Sequence, residues 1–60
     1  MPDIRWKRSM RGGWFFKDAE GNYWHKSENE EIIVIHTPDG QVVEGWSEES
    51  AWRRLDDNVA

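Results

Sequence analysis

The residues with the widest chemical repertoire in this chain are two histidines, His25 and His36, set among twelve carboxylates. Two imidazoles and one carboxylate can bind zinc, but none of the short ligand spacings of zinc motifs joins these residues. The four serines stand in no nucleophile motif, and the chain has no glycine-rich phosphate-binding loop. The sequence therefore favours structural histidines, and we expect no metal site, no cofactor and no enzyme activity.

Sixty residues predict one small domain that spans residues 1–60. A chain of this length buries only about 60% of the surface that its unfolded form exposes, and it lacks the bulk to enclose a catalytic pocket. Apolar residues make up only 37% of the chain, but five of them are tryptophans. Because a large buried ring contributes roughly 150–250 Å² of area, the composition predicts a folded domain with an aromatic core.

Cysteine is absent, which excludes disulfides and thiol chemistry and fits a reducing compartment. The longest apolar run, residues 32–35, is far shorter than the roughly 20 residues that cross a bilayer. The first residues include no apolar segment of the kind found in secretory signals. We expect a soluble protein of the cytoplasm with no membrane partner.

Charge is divided between the two halves of the chain. Residues 1–26 carry six basic and three acidic side chains, a charge of +3, whereas residues 27–60 carry two basic and nine acidic ones, a charge of −7. A basic half is typical of polyanion binding and an acidic half can dock on a basic partner, but opposite halves can also attract each other within the fold. The candidate acidic docking residues are Glu28, Glu30, Glu31, Glu44, Glu48, Glu49, Asp56 and Asp57.

Turn signals divide the chain into short elements. Gly12-Gly13 predicts a two-residue hairpin loop, and residues 19–21 and 38–40 predict three-residue loops with glycine in the left-handed position. Ser47 predicts a helix N-cap. These signals place a helix at about 48–58 and strands at about 4–10, 14–18, 22–26, 31–37 and 41–46. The expected fold is α+β, a curled antiparallel β-meander of four to five strands closed by one C-terminal helix, with an SH3-like barrel as the closed alternative.

Loop length fixes the register of a hairpin, and the register fixes which side chains share a face. The predicted pairs are Arg11 with Trp14, Phe16 with Trp24, and Ile35 with Val43. One face then combines basic and aromatic side chains, and we take it as the candidate binding surface: Arg5, Lys7, Arg11, Trp14, Phe16, Trp24 and Lys26. The alternative is that these rings form the core, with the stems of the basic side chains lying across them.

The strands are apolar on both faces, whereas one helix of three turns covers only one side of a sheet. We therefore expect an aromatic patch to stay exposed, as is typical of interaction sites. Tryptophan and arginine are enriched at protein interfaces, so the leading hypothesis is a small regulatory or accessory protein, such as a phage- or mobile-element-type modulator or inhibitor, that binds another protein.

Two other uses of that patch remain open. DNA or RNA binding would stack bases on the rings and place basic side chains against phosphates. A homodimer would cover the patch with a second copy of the chain. The element order, strands followed by one helix, is similar to that of plant AP2 domains and integrase arm-binding domains. That resemblance implies DNA binding, but the chain lacks the signature residues of these families.

Overall fold

A computed structural model describes residues 3–29 and 31–59. These residues form five strands and one helix: β1 Lys7–Arg8, β2 Trp14–Lys17, β3 Tyr23–Lys26, β4 Ile33–His36, β5 Val42–Gly45 and α1 Glu48–Val59. All strands belong to one antiparallel sheet in the order β1-β2-β3-β4-β5. The predicted α+β meander with a C-terminal helix is confirmed. The sheet is open, because β1 and β5 do not pair, so the barrel alternative is not formed.

The loops after β2 and β4 have the predicted form. In each, the backbone N–H of the residue before a three-residue loop donates to the carbonyl of the residue after it at 3.0 Å. Gly21 and Gly40 take the left-handed position, each with a φ of +89°. The predicted registers are confirmed, with Phe16 opposite Trp24 and Ile35 opposite Val43.

The loop between β1 and β2 is also a three-residue loop, and not the predicted two-residue one. Gly12, with a φ of +91°, takes the left-handed position, and Ser9 N donates to Gly13 O at 3.0 Å. Gly13 lies against β3, where an added Cβ atom would come within 2.5 Å of Lys26 O. Both glycines of the pair have positive φ, and Gly13, with a φ of +83°, also permits a close approach of two chain segments.

This longer loop changes the pairing of β1. Arg8 lies opposite Trp14, and Lys7 lies opposite Phe15, so the predicted pairing of Arg11 with Trp14 is wrong. The shift is three residues, an odd number, and it therefore exchanges the two faces of β1. The strand is also shorter than predicted, covering residues 7–8 instead of 4–10.

Helix α1 packs on the face of the sheet that carries Trp24. Ser47 caps the helix as predicted, its Oγ accepting the Ser50 N–H at 3.1 Å. Gly45 lets the helix approach β5, because an added Cβ atom would lie only 2.4 Å from Ala51 N. The buried core combines both elements: Trp24, Ile33, Ile35, Val43, Ala51 and Leu55.

A buried carboxylate, Asp18, fixes the loop between β2 and β3. Its Oδ1 accepts the backbone N–H groups of Glu20 and Asn22, each at 2.9 Å. Its Oδ2 accepts the Asn22 side-chain amide and the Trp24 indole N–H, each at 3.0 Å. Burial on its own raises the pKa of Asp18, but these hydrogen bonds outweigh it and hold the pKa below its usual value. One charged group thereby ties the loop to the central tryptophan of the core.

Candidate binding surface

The aromatic part of the predicted binding surface lies on the face of the sheet that α1 covers. Trp24 is 0% exposed, and Phe16 is half-buried against the core. Trp14 and Lys26 pair with each other on the same face. For Trp24 and Phe16, the structure matches the alternative reading of the sequence, in which the rings form the core.

The basic part of the predicted surface is dispersed. Lys7 lies on the opposite face of the sheet, and Arg11 stands at the exposed tip of the first loop. Arg5 precedes β1 and forms an exposed ion pair with Asp3, with 3.2 Å between its Nε and the carboxylate Oδ2. The structure therefore does not bring these three cations together with the aromatic residues into one surface.

Two cations of the chain cover rings at the margin of the core. The Arg8 guanidinium lies 4.8 Å from the centre of the Trp14 ring and also pairs with Glu28. Lys26 Nζ lies 4.4 Å from the centre of the Trp6 ring. Such contacts contribute about 0.5–1 kcal/mol each at exposed sites. These cation–ring pairs are satisfied within the chain, as expected of a structural role.

The other side of the sheet, which we call the open face, has no helix over it among the described residues. Its side chains alternate with those of the core along every strand. Tyr23 is 40% exposed and Val42 is 55% exposed, far above the core residues. The open face consists of Lys7, Phe15, Lys17, Tyr23, His25, Val34, His36, Val42 and Glu44.

At the centre of the open face four rings contact one another, and we call them the ring cluster: Phe15, Tyr23, His25 and His36. Tyr23 is the hub, with its ring centroid 6.4 Å from Phe15, 5.4 Å from His25 and 6.2 Å from His36. The two imidazoles are joined directly, with 2.9 Å between their Nε2 atoms. Paired rings at these distances support one another in a fixed arrangement.

The environment of His25 in the ring cluster disfavours its charged form. Burial lowers the pKa of His25, and the neighbouring His36 lowers it further. The His25 imidazole is therefore neutral at neutral pH. Lys7 and Lys17 flank the cluster on the β1–β2 side, and Glu44 lies on the far strand β5. An aromatic centre between charges of opposite sign can bind an apolar partner surface and orient it.

A second surface lies at the N-terminal end of α1, where an open groove of about 690 Å³ is bordered by carboxylates and tryptophans. Trp46 is 72% exposed there, and Glu48 Oε1 accepts the Trp6 indole N–H at 2.8 Å. The groove lining includes Trp14, Ile33, Trp46, Glu28, Glu31, Glu48 and Glu49. Of the predicted acidic docking residues it unites Glu28, Glu31, Glu48 and Glu49, whereas Glu44 is on the open face and Glu30 lies outside the described residues.

The predicted pairing of Phe16 with Trp24 implies that Phe15, Tyr23 and His25 share the opposite face, but that face was not predicted as the binding surface. The missing information was which side α1 covers. Gly45 carries that signal, because a glycine on the Val43 side of the last strand leaves room for a close helix, whereas its neighbour Glu44 does not.

Within residues 3–29 and 31–59, no three His, Cys, Asp or Glu side chains gather as a metal-binding group. The same part of the chain contains no helix with the length and apolar character needed to cross a bilayer. No protein-family model, no curated protein and no solved structure matches the chain.

Proposed function

We propose that this chain is a small non-catalytic module of the cytoplasm that binds another protein through its open face. The observation that carries the proposal is the ring cluster, which lies on the side of the sheet away from α1 and is extended by Val34 and Val42. Rigid rings lose little conformational entropy on binding, and aromatic residues at the centre of a patch are typical hot spots of protein interfaces. A regulator or inhibitor of the phage or mobile-element type fits this description.

The arrangement of the open face favours binding over further packing within the chain. Tyr23 contacts three other rings, yet 40% of its surface stays in contact with solvent. The contacts fix its position before a partner arrives, so binding pays little for ordering it. Lys7 and Lys17 at one side and Glu44 at the other supply the charges that set orientation and association rate.

Replacing Tyr23 by threonine is expected to weaken partner binding by about 30-fold, the cost of truncating a hot spot worth about 2 kcal/mol. Threonine preserves strand propensity, so the sheet is retained. The measurement is affinity capture from nuclease-treated lysate of the source cells, with captured proteins quantified by mass spectrometry for wild type and Y23T. The matched control is Met10→Ser, which removes a fully exposed apolar side chain from the first loop and should leave capture unchanged. Equal capture of the same proteins by wild type and Y23T would contradict the proposal.

Nucleic-acid binding is the second candidate, and one observation favours it. Lys7 and Lys17 lie on the open face beside the rings of Phe15 and Tyr23, which is the combination that single strands bind. Two phosphate contacts give a salt dependence with a slope of only about −1.4 on logarithmic axes for a single strand. Tryptophan fluorescence with oligonucleotides at about 50 mM salt tests it, because protein recognition predicts no response and nucleic-acid binding predicts a response that salt removes.

A second copy of the chain is the third candidate partner for the open face. Isologous pairing would bury the ring cluster of both copies. Light scattering over a dilution series separates the cases: a constant monomer mass leaves the open face available to another protein, whereas a dimer whose dissociation is promoted by Y23T assigns the face to self-association.

A further inference from the structure

The two imidazoles of the ring cluster meet edge to edge at their Nε2 atoms. These atoms are 2.9 Å apart, the ring centroids are 4.9 Å apart, and the ring planes differ by only 10°. The nitrogens are closer than the centroids, so the rings present their nitrogen edges to each other and are not stacked face to face. His25 and His36 lie diagonally on the neighbouring strands β3 and β4, where the backbone pairs Tyr23–His36 and His25–Val34 fix their spacing.

We propose that His25 and His36 form a binding site for a divalent transition-metal ion, chelated by their two Nε2 atoms. Imidazole nitrogens bind such ions at about 2.0–2.1 Å. Two nitrogens 2.9 Å apart at that bond length subtend an angle of about 90° at the metal. The sheet therefore holds the donor atoms at the separation required by two neighbouring positions of a square-planar or octahedral ion.

The distance between the two nitrogens also predicts which metal ions the site prefers. Square-planar and tetragonal coordination by nitrogen and oxygen is typical of Cu²⁺ and Ni²⁺, whereas tetrahedral Zn²⁺ needs nitrogens about 3.3 Å apart, a wider angle than the pair now offers. The intrinsic affinities of divalent ions also place Cu²⁺ above Ni²⁺ and Zn²⁺. Mg²⁺ and Ca²⁺ prefer oxygen ligands and are excluded by an all-nitrogen pair.

Metal binding requires one imidazole hydrogen to move to the other nitrogen of the same ring, and no proton is gained or lost overall. In the unbound pair, one Nε2 carries a hydrogen that it donates to the other. For chelation, that ring takes the tautomer with its hydrogen on Nδ1, so both Nε2 lone pairs turn toward the ion and both imidazoles stay neutral.

The other coordination positions face solvent. His36 is exposed, and no third His, Cys, Asp or Glu donor joins the pair among the described residues. Water therefore completes the coordination in the isolated protein. The metal site follows from the geometry of the imidazole pair alone, so the isolated protein should bind the ion without a partner protein.

The test is titration of the untagged protein with NiCl₂ and ZnCl₂ by calorimetry, together with electron paramagnetic resonance of the Cu²⁺ complex. We expect one metal ion per chain and two equatorial nitrogen ligands in the Cu²⁺ spectrum. His25→Gln and His36→Gln should each lower the affinity at least about tenfold, because each removes one arm of the chelate. Met10→Ser, a change in the exposed first loop outside the ring cluster, should leave it unchanged.

Circular dichroism of each variant establishes that the sheet is retained. If H25Q does not fold, the exposed H36Q change and the nitrogen count in the Cu²⁺ spectrum still decide the matter. The proposal is overturned if the protein binds no Ni²⁺ or Cu²⁺, if H36Q binds as tightly as wild type, or if the Cu²⁺ spectrum of wild type shows a single nitrogen ligand.

Discussion

Substituting Gly45 by alanine is expected to cost about 3 kcal/mol or more of the free energy of unfolding, which is most of the stability of a domain of this size. An added Cβ atom would lie 2.4 Å from Ala51 N, 2.5 Å from Ala51 Cα and 2.8 Å from Ala51 Cβ. The first two are backbone atoms of α1, so no side-chain rotation relieves the contact. The helix must move away from β5, and that movement opens the core around Ala51 and Leu55.

Gly40→Ala provides the matched control for this substitution. Gly40 has a φ of +89°, so alanine there is strained, but an added Cβ atom meets nothing within 4 Å. The expected cost is about 1–2 kcal/mol, from the left-handed backbone alone. Urea denaturation followed by tryptophan fluorescence measures both variants. Equal losses for G45A and G40A would show that α1 does not approach β5 as closely as described.

Asp18→Asn is expected to destabilise the protein by about 2–3 kcal/mol, although the two side chains have nearly the same shape. Oδ2 of Asp18 accepts hydrogen bonds from Trp24 Nε1 and Asn22 Nδ2, both at 3.0 Å and both buried. An amide group at that position would turn a donor toward these donors, or lose the backbone bonds of the loop if it flipped. The matched control is Asp39→Asn in the equivalent loop after β4, where the carboxylate is exposed and the expected change is within about 0.5 kcal/mol.

The same carboxylate predicts a dependence of stability on pH. The pKa of Asp18 is lower in the folded state than the value of about 3.9 expected for the unfolded chain. Its contribution is therefore fully present above that unfolded value and is lost as the pH falls through the lower, folded value. The stability gap between wild type and D18N should be constant between pH 5 and 7 and should narrow below about pH 4. A gap that persists unchanged at pH 2 would contradict the role assigned to the charged carboxylate.

The parts of the fold that the sequence predicts correctly are those with an unambiguous turn. The loops that contain Gly21 and Gly40 each have a single glycine for the left-handed position, so their length and register follow. In the first loop both adjacent glycines have positive φ, as a two-residue turn would require, yet the loop spans residues 10–12, and the glycine pair does not reveal that length. Taking Gly12-Gly13 as the whole loop moved the predicted pairing of β1 by three residues and exchanged its faces, which is why Lys7 and the core rings were predicted together.

The candidate site was harder to predict because both faces of the strands are apolar. The choice of the covered face depends on the contact between Gly45 and Ala51, which are six residues apart in the chain but touch only after the helix has turned back. The pairing of His25 with His36 depends on the register of β3 and β4. The connection between those strands is long and polar, with no turn motif, so the sequence does not fix that register.

The proposed binding surface requires an open face whose rings contact solvent in the isolated monomer. Hydroxyl-radical footprinting measures this directly, with oxidation of each side chain quantified by mass spectrometry and normalised to its rate in urea. Tyr23 and His36 should react at a substantial fraction of their unfolded rates, while Trp24 is strongly protected despite its higher intrinsic reactivity. Protection of Tyr23 and His36 as complete as that of Trp24, in a sample that is monomeric by light scattering, would contradict the account.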